Sequence, residues 1–356
     1  MAPVAPAMST RISVFLSLTT SDEDAAPSVT AICETASVAL RPRRQLCHPR
    51  GMAITGETQE ALRPLMFSIA YRMLGSVADA EDVVQDAYLR LHEQEIAGEE
   101  IRNPDAFAVT VTTRLAIDVL RSARRNREVY VGPWMPEPLP DDDADPAHRI
   151  ERDETLSFAF LAVLERLGPV ERAVFLLREV FAYDYRDIAE VVDREEAACR
   201  QILHRAKARV AERRPRFDGI DERDSALADA FFAALQAGDV DGLIDRLADD
   251  VVFYGDGGGR APAIQHPVHG AVAVARFLAG LVRRGSQVGV RFELRPVNGG
   301  PALWVRGPDG ALLSVLMVEF ADGTAQVIAN QLNPEKLAHL GPVGDLYALF
   351  GGRAEA

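Results

Sequence analysis

Apolar positions along the first two thirds of the chain follow a helical rhythm. Ala80, Val83, Val84, Ala87, Tyr88 and Leu91 recur at the i, i+3, i+4, i+7 spacing of one face, while Glu81, Asp82, Gln85, Asp86 and Arg90 lie elsewhere on the wheel. This predicts an amphipathic helix with an acidic outer side. After Asn103-Pro104, a cap with proline at the first helical position, Phe107, Val111, Leu115 and Val119 mark a second helix. Its polar side and exit carry Arg114, Arg121, Arg124, Arg125 and Arg127. Helices resume at Leu156. PVERAVFLLREVF starts at Gly168-Pro169, YRDIAEVV follows, a break falls at Asp193, and a long helix runs to about Glu212, completing a helix-turn-helix pattern. Ala198, Ile202, Ala206 and Val210 are the expected buried side of that last helix.

From Asp221 the rhythm changes. DSALADAFFAALQAG and VDGLIDRLA read as helices, VVFY as a strand and GAVAVARFLAGLVRR as a helix. VGVRFELRPV, ALWVRG, ALLSVLMVEF and TAQVIANQL then read as strands separated by turn signals such as GPDG and ADG. Helices first and an antiparallel sheet later predict an α+β fold able to enclose a pocket. The fold class is therefore multidomain, two all-α units followed by an α+β unit. The expected divisions are 1–51, a disordered or non-native extension with Met52 as the natural start; 52–129, the first helical unit; 130–154, a Pro/Asp-rich linker; 155–216, the helix-turn-helix unit; 217–342, the α+β unit; and 343–356, a tail. ISVFLSL in the first segment is too short for a signal peptide and lacks a convincing cleavage site.

The net charge of −14 over 356 residues argues against a uniformly basic nucleic-acid binder, but charge is distributed unevenly. Between Arg194 and Arg216 eight cations face three acids, a local net of 8 − 3 = +5. No apolar run approaches the ~18 residues of a membrane span. Cys33, Cys47 and Cys199 make no paired or zinc-like pattern, which fits a reduced cytoplasmic setting and gives no reason to expect a metal or cofactor. Only Lys207 and Lys336 are lysine among 39 basic residues.

A helix carrying arginines and a glutamine suits a major groove, where Arg reads guanine edges, Gln reads adenine and further cations hold phosphates. In the α+β unit, DGGGR (Asp256–Arg260) has the glycines of an anion-binding loop, but Ala-Pro-Ala follows where a phosphate loop needs Lys and Ser or Thr. Asp256, His266 and His269 are the visible acid/base candidates there.

AYRMLGSVADAEDVVQDAYLRLHE, followed by NPDAFAVTVTTRLAIDVLRSARR, resembles region 2 of bacterial extracytoplasmic-function sigma factors of the sigma-70 family. LGPVERAVFLLREVFAYDYRDIAEVVDREEAACRQILHRAKARV resembles their region 4. WMPEPLP (Trp134–Pro140), DGGGR and NPEKL (Asn333–Leu337) resemble the marks of a sigma-J-like subfamily with a fused, cone-shaped SnoaL-like domain. The resemblance implies a transcription initiation factor, not an enzyme, whose partners are the β′ and β subunits of core RNA polymerase and promoter DNA, with no membrane partner. It places Asp82, Gln85 and Asp86, with Glu81 nearby, on the polymerase coiled coil, and Arg114, Arg121, Arg124 and Arg125 on the downstream promoter element. Many relatives carry Asn where this chain has Arg114. Arg200, Gln201, His204 and Arg205 are expected on the upstream element, with Lys207 and Arg209 on phosphates or further surface. The resemblance also implies that the C-terminal domain is a built-in regulator. Trp134, Pro136, Asp256, Gly257, Gly258, Gly259, Arg260, Asn333, Pro334 and Lys336 are its expected contacts, with Arg260 able to pair with a carboxylate, for example one in the acidic linker. A small molecule in the SnoaL-like pocket would shift closed and open populations only by binding them unequally. Two rival readings are a ligand-sensing DNA-binding regulator, which has no need of the region 2 helices, and a SnoaL-type enzyme with a DNA-binding appendage, which needs a converging acid/base pair.

Overall fold

A computed structural model describes residues 56–98, 101–127, 130–141, 156–211 and 222–350. The expected N-terminal extension and start at Met52 lie outside them.

Three helices open the chain: α1 (Gly56–Leu74), α2 (Val77–Ile96) and α3 (Pro104–Arg127). α2 begins where Gly75 breaks α1 with φ of 66° and Ser76 caps the next helix by accepting from the Asp79 amide. Its buried line is Val77, Ala80, Val83, Val84, Ala87 and Leu91, as the sequence spacing predicts, with Tyr88 half-buried. α3 corrects the expectation. Its buried line is Ala108, Val109, Thr112, Thr113, Ala116, Ile117 and Leu120, while Phe107, Val111, Leu115 and Val119 flank the core half-buried. Small Ala and Thr side chains let the helix approach closely, so the largest apolar residues end up at the margin.

The second helical unit comprises α4 (Phe158–Leu164), α5 (Pro169–Phe175), which runs on through a π-helical turn at Leu176–Val180, α6 (Tyr185–Val192) and α7 (Glu196–Ala211). α6 ends on Asp193 in the left-handed conformation, which makes the tight break. In α7 the buried line is Cys199, Leu203, Ala206 and Val210, and Ala198 and Ile202 are only half-buried. The expected stripe stepped by four residues throughout, which drifts about 40° per step around a helix of 3.6 residues per turn; alternating steps of four and three keep one face. The two helical units share one apolar core, in which Phe67, Leu91 and Ile117 join Phe175, Ile188 and Leu203.

The third unit runs α8 (Glu222–Ala237), α9 (Val240–Ile244), β1 (Leu247–Asp256), β2 (Val268–His269), α10 (Ala271–Gln287), β3 (Arg291–Leu294), β4 (Ala302–Arg306), β5 (Leu312–Ala321) and β6 (Thr324–Gln331), then the short helices α11 (Pro334–Leu337) and α12 (Leu346–Phe350). The sheet order is β2-β1-β6-β5-β4-β3. Here too an expectation is corrected: the sheet is mixed, because β1 lies parallel to β6 while its other pairs are antiparallel. α10 and four strands separate β1 from β6, a connection long enough to permit a parallel pair.

Register explains the LLSVLMV run in β5, where every residue is buried. Leu316 and Val318 face Phe231, Phe232, Val274 and Leu278 of the helices. Val315 and Met317 face the opposite way, with Trp304 and Ala329, and are covered by Met135, by Phe158 of α4 and by Leu337 of α11. The sheet is thus covered on one side by its own helices and on the other by the chain that joins the helical units.

Candidate functional site

The covered side ends at Asp256, the last residue of β1, whose side chain is 0% exposed. Its Oδ2 accepts from Lys336 Nζ at 2.7 Å, the Met135 amide at 2.9 Å and Gln331 Nε2 at 3.4 Å, and its Oδ1 accepts from the Tyr130 hydroxyl at 2.5 Å. Lys336 Nζ also donates to the Met135 carbonyl at 2.6 Å and lies 4.2 Å and 4.8 Å from the ring centres of Trp134 and Tyr130. Acid and base therefore grip the amide and the carbonyl of one strap residue. Asn333 completes the cage: Nδ2 donates to Tyr130 at 2.9 Å, while Oδ1 accepts from the Glu335 amide at 3.0 Å, with Pro334 next in the chain opening α11. Burial pushes the Tyr130 phenol well above its usual range, and the bond to Asp256 pushes it further.

The glycines of DGGGR serve this closeness. Gly258 has φ of 56°, and a Cβ there would lie 2.8 Å from the Tyr130 hydroxyl oxygen. Gly257 accepts at its carbonyl from Arg260 and Ala261 in the turn, and Gly259 lies beside Val131. Arg260 pairs with a carboxylate as expected, that of Glu335 at 2.8 Å with both side chains 61% exposed, and not with one of the acidic linker. NPEKL supplies both the buried cation and the exposed acid, four residues being enough to turn one inward and the other outward.

The strap, residues 130–141, is extended as the proline content predicts, and it has a second side. Trp134 packs on Gly75, where a Cβ would come within 2.8 Å of the indole. The Glu137 amide donates to the Gly75 carbonyl at 2.8 Å, and its Oε2 accepts from the Val77 amide at 2.6 Å, so strap residue Glu137 caps α2. Burial pushes the Glu137 carboxyl upward, and those amides pull it down. Tyr71 of α1, fully buried, donates to the Glu137 carbonyl at 2.7 Å and accepts from Asn298 of the sheet unit at 2.6 Å. Pro136 is buried, its carbonyl accepting from Gln331 at 3.4 Å. His339 holds the Pro138 carbonyl at 2.8 Å, and Asn298 exchanges two bonds with Leu139.

A further carboxylate joins α4 to the sheet. Glu319 of β5 accepts from the Ala159 amide at 3.1 Å; burial pushes its carboxyl up to about 7, against the backbone donors Ala159 and Phe158, which pull it down. Arg172 of α5, 2% exposed, donates to the Met73 carbonyl of α1 at 2.6 Å and to Glu165 at 2.7 Å.

Two helical units strapped to an α+β domain have counterparts among known proteins. Residues 59–126 match sigma-70 region 2, 157–210 match sigma-70 region 4, and 228–326 match the SnoaL-like domain. The chain is 37% identical over 287 residues to the ECF RNA polymerase sigma factor SigJ of Mycobacterium tuberculosis H37Rv, covering 78% of this chain and 91% of that protein. It is 31% identical to the probable ECF sigma factor SigI of M. tuberculosis CDC 1551, covering 78% and 92%. The crystal structure of SigJ superposes with a TM-score of 0.66 at 35% identity, covering 80% of this chain and 98% of that one. The chain belongs to the extracytoplasmic-function sigma factors.

In region 2, Asp82, Gln85 and Asp86 form an exposed row on α2, whereas Glu81 is half-buried and paired with Arg63 at 2.5 Å. On α3, Arg121 pairs with Asp118 at 2.9 Å, and Arg114 reaches region 4. The side chains of Arg124 and Arg125 lie outside the described residues. On the region 4 helix α7, Gln201, His204 and Arg205 are exposed. Arg200 pairs with Glu196 at 2.8 Å and lies over the Tyr185 ring. Lys207 and Arg209 turn back onto Glu179 at 2.7 Å and Glu171 at 2.5 Å, so in this state they brace region 4 rather than stand free for phosphate. In the SnoaL-like domain, His266 and His269 are exposed and make no acid/base pair with Asp256, whose oxygens are taken by the strap and by Lys336. Sequence reasoning missed Tyr71, Tyr130, Glu137, Gln331, Asn298 and Glu319. Glu137, standing between two prolines, and Tyr130, at the head of the strap, had a local signal; the others are ordinary core-pattern residues.

Proposed function

We propose that this sigma factor is restrained by its own SnoaL-like domain, and that the Asp256–Lys336 pair is the lock. The observation that carries the reading is that both charges close on the amide and carbonyl of Met135, within a strap that also caps α2. Region 2 would use Asp82, Gln85 and Asp86 on the polymerase β′ subunit, and region 4 would meet β and the upstream promoter element through Arg200, Gln201, His204 and Arg205. Regions 2 and 4, sharing a core in the closed state, part on polymerase so that each reaches its own element. The protein works with polymerase in the cytoplasm, without catalysis of its own. A small molecule between sheet and helices would meet Asn330, which is 6% exposed and whose Oδ1 has no hydrogen-bond partner among the described residues; it would act by favouring one state.

The test is promoter opening with core polymerase, comparing the full chain with Lys336→Met on DNA selected by the reconstituted complex. A higher open-complex yield at equal core binding supports the lock. Equal yields reject it, and failure of both proteins to bind core rejects the role with polymerase.

A further inference from the structure

We infer that Arg114 is a clasp holding region 4 against region 2, and that its release is a step in promoter reading; the second part rests on the function proposed above, the first does not. A helix leaves its last carbonyls without intrahelical donors. At the end of α6 the Ala189 carbonyl is served by the amides of Asp193 and Arg194, within the same unit. The next two are served from region 2. Arg114 Nη2 donates to the Glu190 carbonyl at 2.8 Å, and Nε donates to the Val191 carbonyl at 2.9 Å.

A guanidinium suits this position, because its fixed fork presents donors to neighbouring acceptors and its charge complements the negative end of the helix. Lysine offers one flexible ammonium, and asparagine is too short and uncharged. α3 packs against both α5 and α6, so the clasp lies on an apolar seam. The carbonyls it holds belong to the turn that leads into α7. One side chain thereby ties the position of the upstream-reading helix to α3, the helix matched to downstream reading. With α6 clasped to α3, region 4 is held against region 2 and the two cannot reach separated DNA elements at once, so Arg114 must leave the α6 carbonyls before both are read.

The first arm of the test needs neither DNA nor polymerase: hydrogen exchange on the full chain, with helicity measured alongside. Arg114→Gln is expected to speed exchange of the Asp193–Glu196 amides and of the covered part of α3 about tenfold, Arg114→Lys less, with α1 and α2 unchanged. Unchanged exchange in both variants overturns the clasp. If Arg114→Gln loses helicity, Arg114→Lys, which keeps charge and length, carries the test alone. The second arm is promoter opening. Arg114→Lys is expected to raise the open-complex yield several-fold, and faster exchange without that rise overturns the release step. If the wild-type chain does not open DNA with polymerase, the proposed function fails while the exchange result still decides the clasp.

Discussion

Asp256 and Lys336 have side chains 0% and 8% exposed and meet each other, the strap and aromatic faces. Gln201, His204 and Arg205 of α7 stand in solvent. Both groups lie in segments that the family resemblance marks as functional, yet water treats them oppositely. Charges removed from water persist only when paired and hydrogen-bonded, so the first group records a conformation of the chain itself. Polar side chains left in water cost little and determine nothing about the fold, so the second group is available to a partner. Burial, rather than residue type, separates the side chains that hold the strap from those left open to a partner.

The largest effect expected from breaking this contrast is at the lock. Lys336→Met leaves Asp256 buried without its cation, a loss of about 3–5 kcal/mol to the closed state. Thermal melting and exchange of the strap amides measure it, and a strap as protected as wild type would contradict the assignment. Next comes proton dependence at Glu319. Its carboxyl titrates at about 7 when docked against an ordinary value of 4.5, so the docked state binds a proton that the released state has lost. Docking of α4 is fully favoured below the released value, weakens as pH rises through about 7, and levels off beyond. Glu319→Gln should flatten most of that dependence, leaving a smaller part to Glu137, whose carboxyl burial also raises; exchange of the Phe158–Leu161 amides between about pH 5 and 8 follows it. On the open side, Arg205→Ala should leave the melting free energy within about 0.5 kcal/mol. It should weaken binding of selected promoter DNA by about 1–3 kcal/mol in titrations with polymerase present. The smallest effect is expected at Arg260→Ala, because the pair with Glu335 is exposed on both sides; strap protection should change by less than about 1 kcal/mol. A large change there would mean that exposure is a poor guide to the lock.

Much of the fold was legible, and the errors have a common physical source. α2 could be read because its large apolar residues are its buried ones. α3 and α7 were misread by a turn's fraction because Ala108, Thr112, Thr113, Ala116 and Cys199 are small, while Phe107 and Ile202 carry more hydrophobic weight but sit at the margin. The parallel β1–β6 pair has no local signature, since pairing partners lie more than 70 residues apart and strand composition does not encode direction. At the site, the motif residues stood out, and their meeting was an expectation drawn from resemblance. Only the structure places Lys336 on Asp256, moves Arg260 to Glu335, and brings Tyr71 and Asn298 into a direct hydrogen bond while they hold strap residues Glu137 and Leu139. Those contacts depend on how three units dock, which no single-segment pattern carries.

The strap residue and the lysine that grips it are 201 positions apart. At about 5–20 residues per second of synthesis, roughly 10–40 s separate the making of Met135 from that of Lys336. The residues matched to regions 2 and 4, 59–126 and 157–210, are all made before the lysine that grips the strap. The Asp256 carboxylate is likewise made before its cation, so the buried pair can form only once Lys336 has been added.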